Sequence, residues 1–220
     1  MARNQKQAVL LVALLCLNLC TCVSPMPICA YGHAGCQLVS LANLFDRVIQ
    51  HSARMHGLSS DLHSELEKYV LPGKNQIGSV YRKCHTSSIL TPNGKETAQK
   101  LAHEELTEVI LKLLTAWKYP LSLLPETMSE QQDFISSKAL EMNNIALELR
   151  QGVEKVMEKM QLLGMFSSPM NSFTPPDDFF PASGEAMSES ELLYCFRRDS
   201  DKVQNYLKIL KCRLVAGQGC

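Results

Sequence analysis

Nine cysteines and six histidines are the side chains of this 220-residue chain with the most chemistry to offer. Cys16, Cys20 and Cys22 lie in a leader-like start and are expected to leave with it. Cys29, Cys36, Cys84, Cys195, Cys212 and Cys220 remain. An even set in an exported chain reads as three disulfides, with all fifteen pairings open at this point. Zinc is the rival use of thiols, but no C-x-x-C occurs after the leader, and export favours oxidation. The histidines are scattered. His56 and His63 share a helical face two turns apart, too far to hold one ion unaided, so no metal site is expected. His103-Glu104-Glu105 begins like a zinc-protease motif but lacks its second histidine. Neither a G-x-S-x-G elbow nor a phosphate-binding loop is present. The residues point to a binding protein without cofactor, not to an enzyme.

Charge gives the second kind of chemistry. Basic and acidic residues balance at 22 each, and loss of Arg3 and Lys6 with the leader puts the acidic side two ahead. No bulk positive field favours nucleic acid. The basic residues are instead concentrated on one stripe, Arg197, Arg198, Lys202 and Lys208, with Asp201 and Asn205 among them. Leu192, Phe196, Val203, Leu207 and Leu210 recur at helical steps on the opposite face. Taken alone, such a charged stripe is a solvated surface.

These residues need elements to position them. Arg3 and Lys6 followed by the apolar run Ala8–Leu19 read as a secretory signal peptide over 1–24, with cleavage between Cys22 and Met26. Residues 25–220 then form a single domain, secreted and without a membrane anchor. Cys29 to Cys36 is a short glycine-containing step across which a bridge closes easily. A first helix is predicted on Leu41, Leu44, Val48, Ser52, Met55, Leu62 and Leu66, ending before Leu71-Pro72-Gly73 and interrupted by Gly57. Residues 72 to about 100 read as a long connection with a short helix near 77–82. A second helix carries Leu106, Val109, Ile110, Leu113 and Trp117, which Pro120 and Pro125 kink or end. A third carries Ile135, Ala139, Met142, Ala146, Leu149, Val153, Val156 and Met160, stopped by Gly164. After a second long connection the last helix starts near Ser188, with Glu191 placed for a capping box.

Connection length selects the topology. Travelling back along a helix of about 40 Å takes at least about a dozen residues of extended chain. The first and last connections exceed that and the middle one does not. An all-α, up-up-down-down four-helix bundle with two crossovers is expected.

Cys84-His-Thr-Ser-Ser88 with Pro92 and Trp117, and Cys195-Phe-Arg-Arg-Asp-Ser200 with Tyr206-Leu-Lys and Cys212, resemble the two signatures of the prolactin and growth hormone family. Met26-Pro-Ile-Cys29, Leu44-Phe-Asp-Arg47 and Leu58-Ser-Ser60 are closer to prolactin. The resemblance implies the pairs Cys29–Cys36, Cys84–Cys195 and Cys212–Cys220, the first of which suggests a six-cysteine prolactin branch or a paralogue. It also implies a monomeric hormone that bridges two prolactin-receptor-like ectodomains of the single-pass cytokine class, so that kinases inside the cell activate each other. The first receptor site would use Arg197, Arg198, Lys202, Tyr206 and Lys208, flanked by Tyr194, His56, His63 and Lys95. The second would use Gly152, a notch on the flank of the third helix, with Arg47 and Glu148 nearby. Glu148 departs from the basic residue common there, and Ala53 and Asp201 stand where many prolactins carry histidine. Filling the notch with Gly152→Arg is expected to spare first-site affinity and abolish signalling. Growth-hormone-like specificity or one-site antagonism on the same fold is the near alternative. A lipid carrier with a methionine-rich core is the distant one.

Overall fold

Apolar residues at steps of three and four drive every long segment of the computed structural model into helix. The structure describes residues 32–70, 84–128, 133–166 and 187–215. Gln37–Cys220 forms one compact unit; of the other, Met1–Cys36, only the start of the first helix is described. The elements are α1 (Gly32–Val70), a 3₁₀ turn (His85–Ser88), α2 (Lys95–Lys100), α3 (His103–Ala116), α4 (Lys118–Thr127), α5 (Asp133–Leu162) and α6 (Glu189–Leu214). No strand occurs among the described residues.

The predicted stripes face inward, with Leu44, Val109, Ala146 and Leu192 only partly buried and packed against the core. Leu41, Val48, Ser52, Met55, Leu62 and Leu66 of α1 face inward, and α1 runs through Gly57 without a break. Ile135, Ala139, Met142, Leu149, Val153, Val156 and Met160 of α5 do the same, as do Phe196, Val203, Leu207 and Leu210 of α6. α5 ends in a Schellman turn. Met165 N–H reaches the Met160 carbonyl at 3.0 Å and Gly164 N–H the Gln161 carbonyl at 2.9 Å, with Gly164 at φ +66°. α6 begins with the expected capping box between Ser188 and Glu191.

Two expectations need correction. The first connection is expected to run to about residue 100, but Gly94, at φ +92°, turns the chain into α2 before that. The proposed short helix at 77–82 lies outside the described residues. The second helix neither ends nor merely kinks at Pro120. It breaks at Trp117 and continues as α4 through Pro125 to Thr127. Pro120 sits in the first turn of α4, where its missing N–H is tolerated, but it leaves the Ala116 carbonyl without its helical partner. His85 Nε2 donates to that carbonyl at 3.3 Å.

Paired contacts give the helix directions. Asp46 meets Lys211 at one end of α1 and His63 meets Tyr194 at the other, so α1 and α6 run oppositely. Glu65 pairs with Lys138, His51 with Glu148 and Arg54 with Glu141, so α1 and α5 do too. Arg213 donates to the Leu101 carbonyl and Asp199 meets Trp117, which opposes α3 to α6.

One knot joins the connection before α2, the α3–α4 break and α6. Cys84 and Cys195 form a disulfide across 111 residues of sequence, a closure that restricts the unfolded chain by about 5 kcal/mol in the entropic view. One turn further along α6, Asp199 is buried, and its Oδ2 accepts from Thr86 Oγ1 at 2.5 Å and Trp117 Nε1 at 3.0 Å. Its Oδ1 accepts from Arg198 Nε at 2.9 Å, while Arg198 Nη2 also reaches Thr86 Oγ1 at 3.1 Å. Trp117 stacks edge-on to Phe196 and His85, with centroids at 5.0 and 4.3 Å. Asp199→Ala strands the tryptophan N–H and the threonine hydroxyl in an apolar site. The expected cost is about 3 kcal/mol, read as a lower urea midpoint by the emission of the single tryptophan. An unchanged midpoint would refute the role given to Asp199.

Burial holds the His85 pKa below its ordinary 6.5, and Arg198 adds to that, against the pull of the Ala116 carbonyl and Asp199. The folded state therefore binds this proton less readily than the unfolded chain. Its stabilising effect is complete above about pH 6.5 and is lost as pH falls through the folded pKa. His85→Gln keeps a donor for Ala116 and removes the titration. The loss of stability between pH 7.5 and 5 should be smaller in the variant than in the parent, as measured by urea unfolding at both pH values.

Candidate functional site

The outward stripe of α6 meets residues 91–95 of the connection that leads into α2. Lys202 Nζ donates to Thr91 Oγ1 at 2.9 Å, and Tyr206 Oη donates to the Pro92 carbonyl at 3.2 Å. These two bonds hold the connection against the helix and leave a groove of about 470 Å³. Pro92, Lys95, Asp201, Lys202, Tyr206 and Lys208 contribute to its lining. Burial lowers the Lys202 pKa, with Arg198 acting in the same sense and Asp199 against it. Burial likewise raises that of Tyr206. The groove offers lysine side chains over a phenol and one exposed carboxylate, Asp201.

The residues selected from the sequence separate into three settings. Lys95, Lys202, Tyr206 and Lys208 come together at this groove, although Tyr206 is itself 5% exposed and contributes mainly by fixing Pro92. Arg197 lies half-buried in the N-terminal half of α6 and does not line the groove. Arg198 is turned to Asp199 and Thr86, so its guanidinium belongs first to the buried knot. Farther along, His63 is buried, with its ring 6.1 Å from that of exposed Tyr194 and its Nδ1 3.6 Å from Glu67. His56 Nδ1 lies 3.0 Å from Ser200 Oγ. Ala53 and Asp201 are both exposed. Among the described residues no group of three His, Cys, Asp or Glu side chains converges to hold a metal ion. No helix among them is long and apolar enough to cross a membrane.

Asp199 and Thr91 carry this surface, yet spacing alone did not single them out. Asp199 stands three residues after Phe196 and four before Val203, within the apolar stripe of α6. A carboxylate there had to be buried, and therefore had to have donors. Thr91 gives no comparable signal.

Of the second set, Glu148 and Gly152 lie where α5 packs against α1, and Arg47 stands next in sequence to Val48 on α1. Arg47 is exposed, and Glu148 pairs with His51 at 3.6 Å. Gly152 is only partly exposed, and a Cβ placed on it would lie 2.8 Å from Cγ1 of Val48. Close helix approach, then, is one reason for glycine at this position. Val48 is buried and β-branched, so it has one preferred helical rotamer and little room to yield. Helix propensity alone would make Gly152→Ala stabilising by about 1 kcal/mol. The collision with Val48 should reverse the sign, for a net loss of about 1 kcal/mol in urea unfolding. In a Val48→Ala background the same substitution should become stabilising. Additive effects would show that Gly152 is not there for packing.

Cys212 is also disulfide-bonded. Cys29 and Cys220 lie outside the described residues, as do residues 1–24, where a leader is expected.

A family model described as the somatotropin hormone family matches residues 9–220. Its members are cytokine-like hormones, not enzymes; the family is secreted and acts on class I receptors. The match runs over nearly the whole chain and agrees with an all-helical fold cross-linked between Cys84 and Cys195. The protein belongs to the somatotropin hormone family.

Proposed function

We propose that this protein is a secreted, monomeric hormone that bridges two copies of a prolactin-receptor-like ectodomain. The observation that carries the reading is the groove between α6 and residues 91–95, where a lysine cluster is held on a fixed frame. Cations on a pre-set surface lose little freedom when a partner's carboxylates or aromatic faces cover them. His56, His63, Tyr194, Arg197 and Arg198 extend this first site along α1 and α6. Arg198 acts there through the knot and His63 through Tyr194. The α1–α5 crossing with Arg47, Glu148 and Gly152 is the second site. Binding in that order follows if the first surface is the larger.

The proposal includes the up-up-down-down arrangement, favoured by α1 opposing both α5 and α6 and by α3 opposing α6. It also includes a cleaved leader over 1–24, and bridges between Cys29 and Cys36 and between Cys212 and Cys220. Closeness to prolactin rests on Met26-Pro-Ile-Cys29 and Leu44-Phe-Asp-Arg47.

A titration of the oxidised hormone against a soluble prolactin-receptor ectodomain, read for affinity and stoichiometry, tests the reading. Two receptors per hormone are expected. Lys95→Glu with Lys208→Glu should weaken the first event at least about tenfold. Because a side chain at 152 also meets Val48, exposed Arg47 is the cleaner second-site probe. Arg47→Glu should reduce the stoichiometry to one while leaving the first affinity in place. A single binding event by the parent hormone would overturn bridging, and binding only to a growth hormone receptor would overturn the specificity.

A further inference from the structure

Leu90 is 90% exposed, the most exposed of the large apolar side chains among the described residues. Scattered exposed leucines are ordinary on soluble proteins and need no explanation. Leu90 differs in how its backbone is held. On its N-terminal side, Cys84 is bonded to Cys195, Thr86 to Asp199, and Ile89 is buried with its N–H on the Thr86 carbonyl at 3.0 Å. On its C-terminal side, Thr91 accepts from Lys202 and Pro92 from Tyr206. A side chain that contributes nothing to the core is thus carried on one of the most firmly tied segments of the molecule. It sits two residues before Pro92, which lines the lysine groove.

We infer that Leu90 is an apolar anchor of the first receptor contact and a determinant of which receptor is accepted; this rests on the reading of the α6 groove as that contact. Leu90 precedes Thr91, which accepts from Lys202, and so stands at the edge of a cationic groove; an apolar side chain beside polar and charged groups has the make-up of an interface hot spot. Its frame is already ordered, so covering it requires little further loss of backbone freedom. The partner that fits is a class I receptor ectodomain presenting an apolar or aromatic patch with carboxylates beside it. Since residue 90 is free of internal packing, its size and polarity can change without cost to the fold. A receptor shaped to leucine there rejects a smaller or charged residue.

The test compares wild type, Leu90→Ala, Leu90→Asp and Lys208→Ala on soluble prolactin and growth hormone receptor ectodomains. It reads affinity, dissociation rate and thermal midpoint on whichever receptor wild type binds. Leu90→Ala should weaken binding about tenfold, mostly through faster dissociation. Leu90→Asp should weaken it more than about a hundredfold. Both should keep the wild-type midpoint. Normal binding by both Leu90 variants beside weakened Lys208→Ala would overturn this inference and leave the groove reading intact. Normal binding by all three would overturn both, as would a wild-type hormone that binds neither receptor. A lowered midpoint in the Leu90 variants, or a wild-type dimer that Leu90→Ala abolishes, would assign Leu90 to the fold or to self-association and overturn the inference as well.

Discussion

A carboxylate buried inside an all-helical protein has few ways to be stable, and the three residues that donate to Asp199 set the geometry of everything near it. Thr86 comes from the connection before α2, Trp117 from the break between α3 and α4, and Arg198 from α6 itself. Each donor must arrive at a fixed distance for the charge to be tolerated away from water. The disulfide one turn earlier on α6 brings the same connection to the same place by covalent means. The two devices differ in kind. The disulfide limits how far Cys84 can stray in any state, whereas the hydrogen bonds act only when the native arrangement is reached. Together they place residues 89–95 on α6 closely enough for Lys202 and Tyr206 to complete the attachment.

The surface proposed to bind receptor is therefore a by-product of how the core is closed. Tyr206 is nearly buried and Lys202 is bonded to Thr91, so neither is a loose side chain waiting for a partner. Arg198 shows the same economy in another direction. It belongs to the basic stripe by sequence, but its guanidinium spans Asp199 and Thr86. A residue of this kind influences binding through the frame that it maintains. Lys95 and Lys208, by contrast, are exposed and stand at the groove.

Much of this was legible in the chain because long helices repeat their instructions. Four or more turns of Leu, Val, Ile and Met at steps of three and four leave little choice of face, and α1, α5 and α6 bury the predicted stripes. The cap at Ser188 and the stop at Gly164 are local signals with local causes, and both were readable. α2 was not, because six residues cannot display a period. The break at Trp117 was half-readable. Pro120 announces that a carbonyl will lose its partner, but only the fold reveals that His85 replaces it. Gly152 was ambiguous for a related reason. Position on a helical wheel distinguishes core from surface, yet whether a missing side chain leaves an opening or admits a neighbour depends on Val48, a hundred residues away. Asp199 could have been found from its place within an apolar stripe. Its donors could not, since none is near it in sequence except Arg198.

The link between Cys84 and Cys195 also has a mechanical meaning. A folded chain can be pulled as well as bound. Tension applied through the two ends of the chain enters α1 on one side and the C-terminal half of α6 on the other. It crosses between them through one covalent sulfur bond. Residues 85–194, which include all of α2, α3, α4 and α5, lie in a closed loop off that line of force. They cannot be drawn out as extended chain until the bond is reduced. Of the groove, Lys95 and Pro92 lie just inside that loop and are shielded from end-to-end extension, whereas Lys202 and Lys208 follow Cys195 and are not.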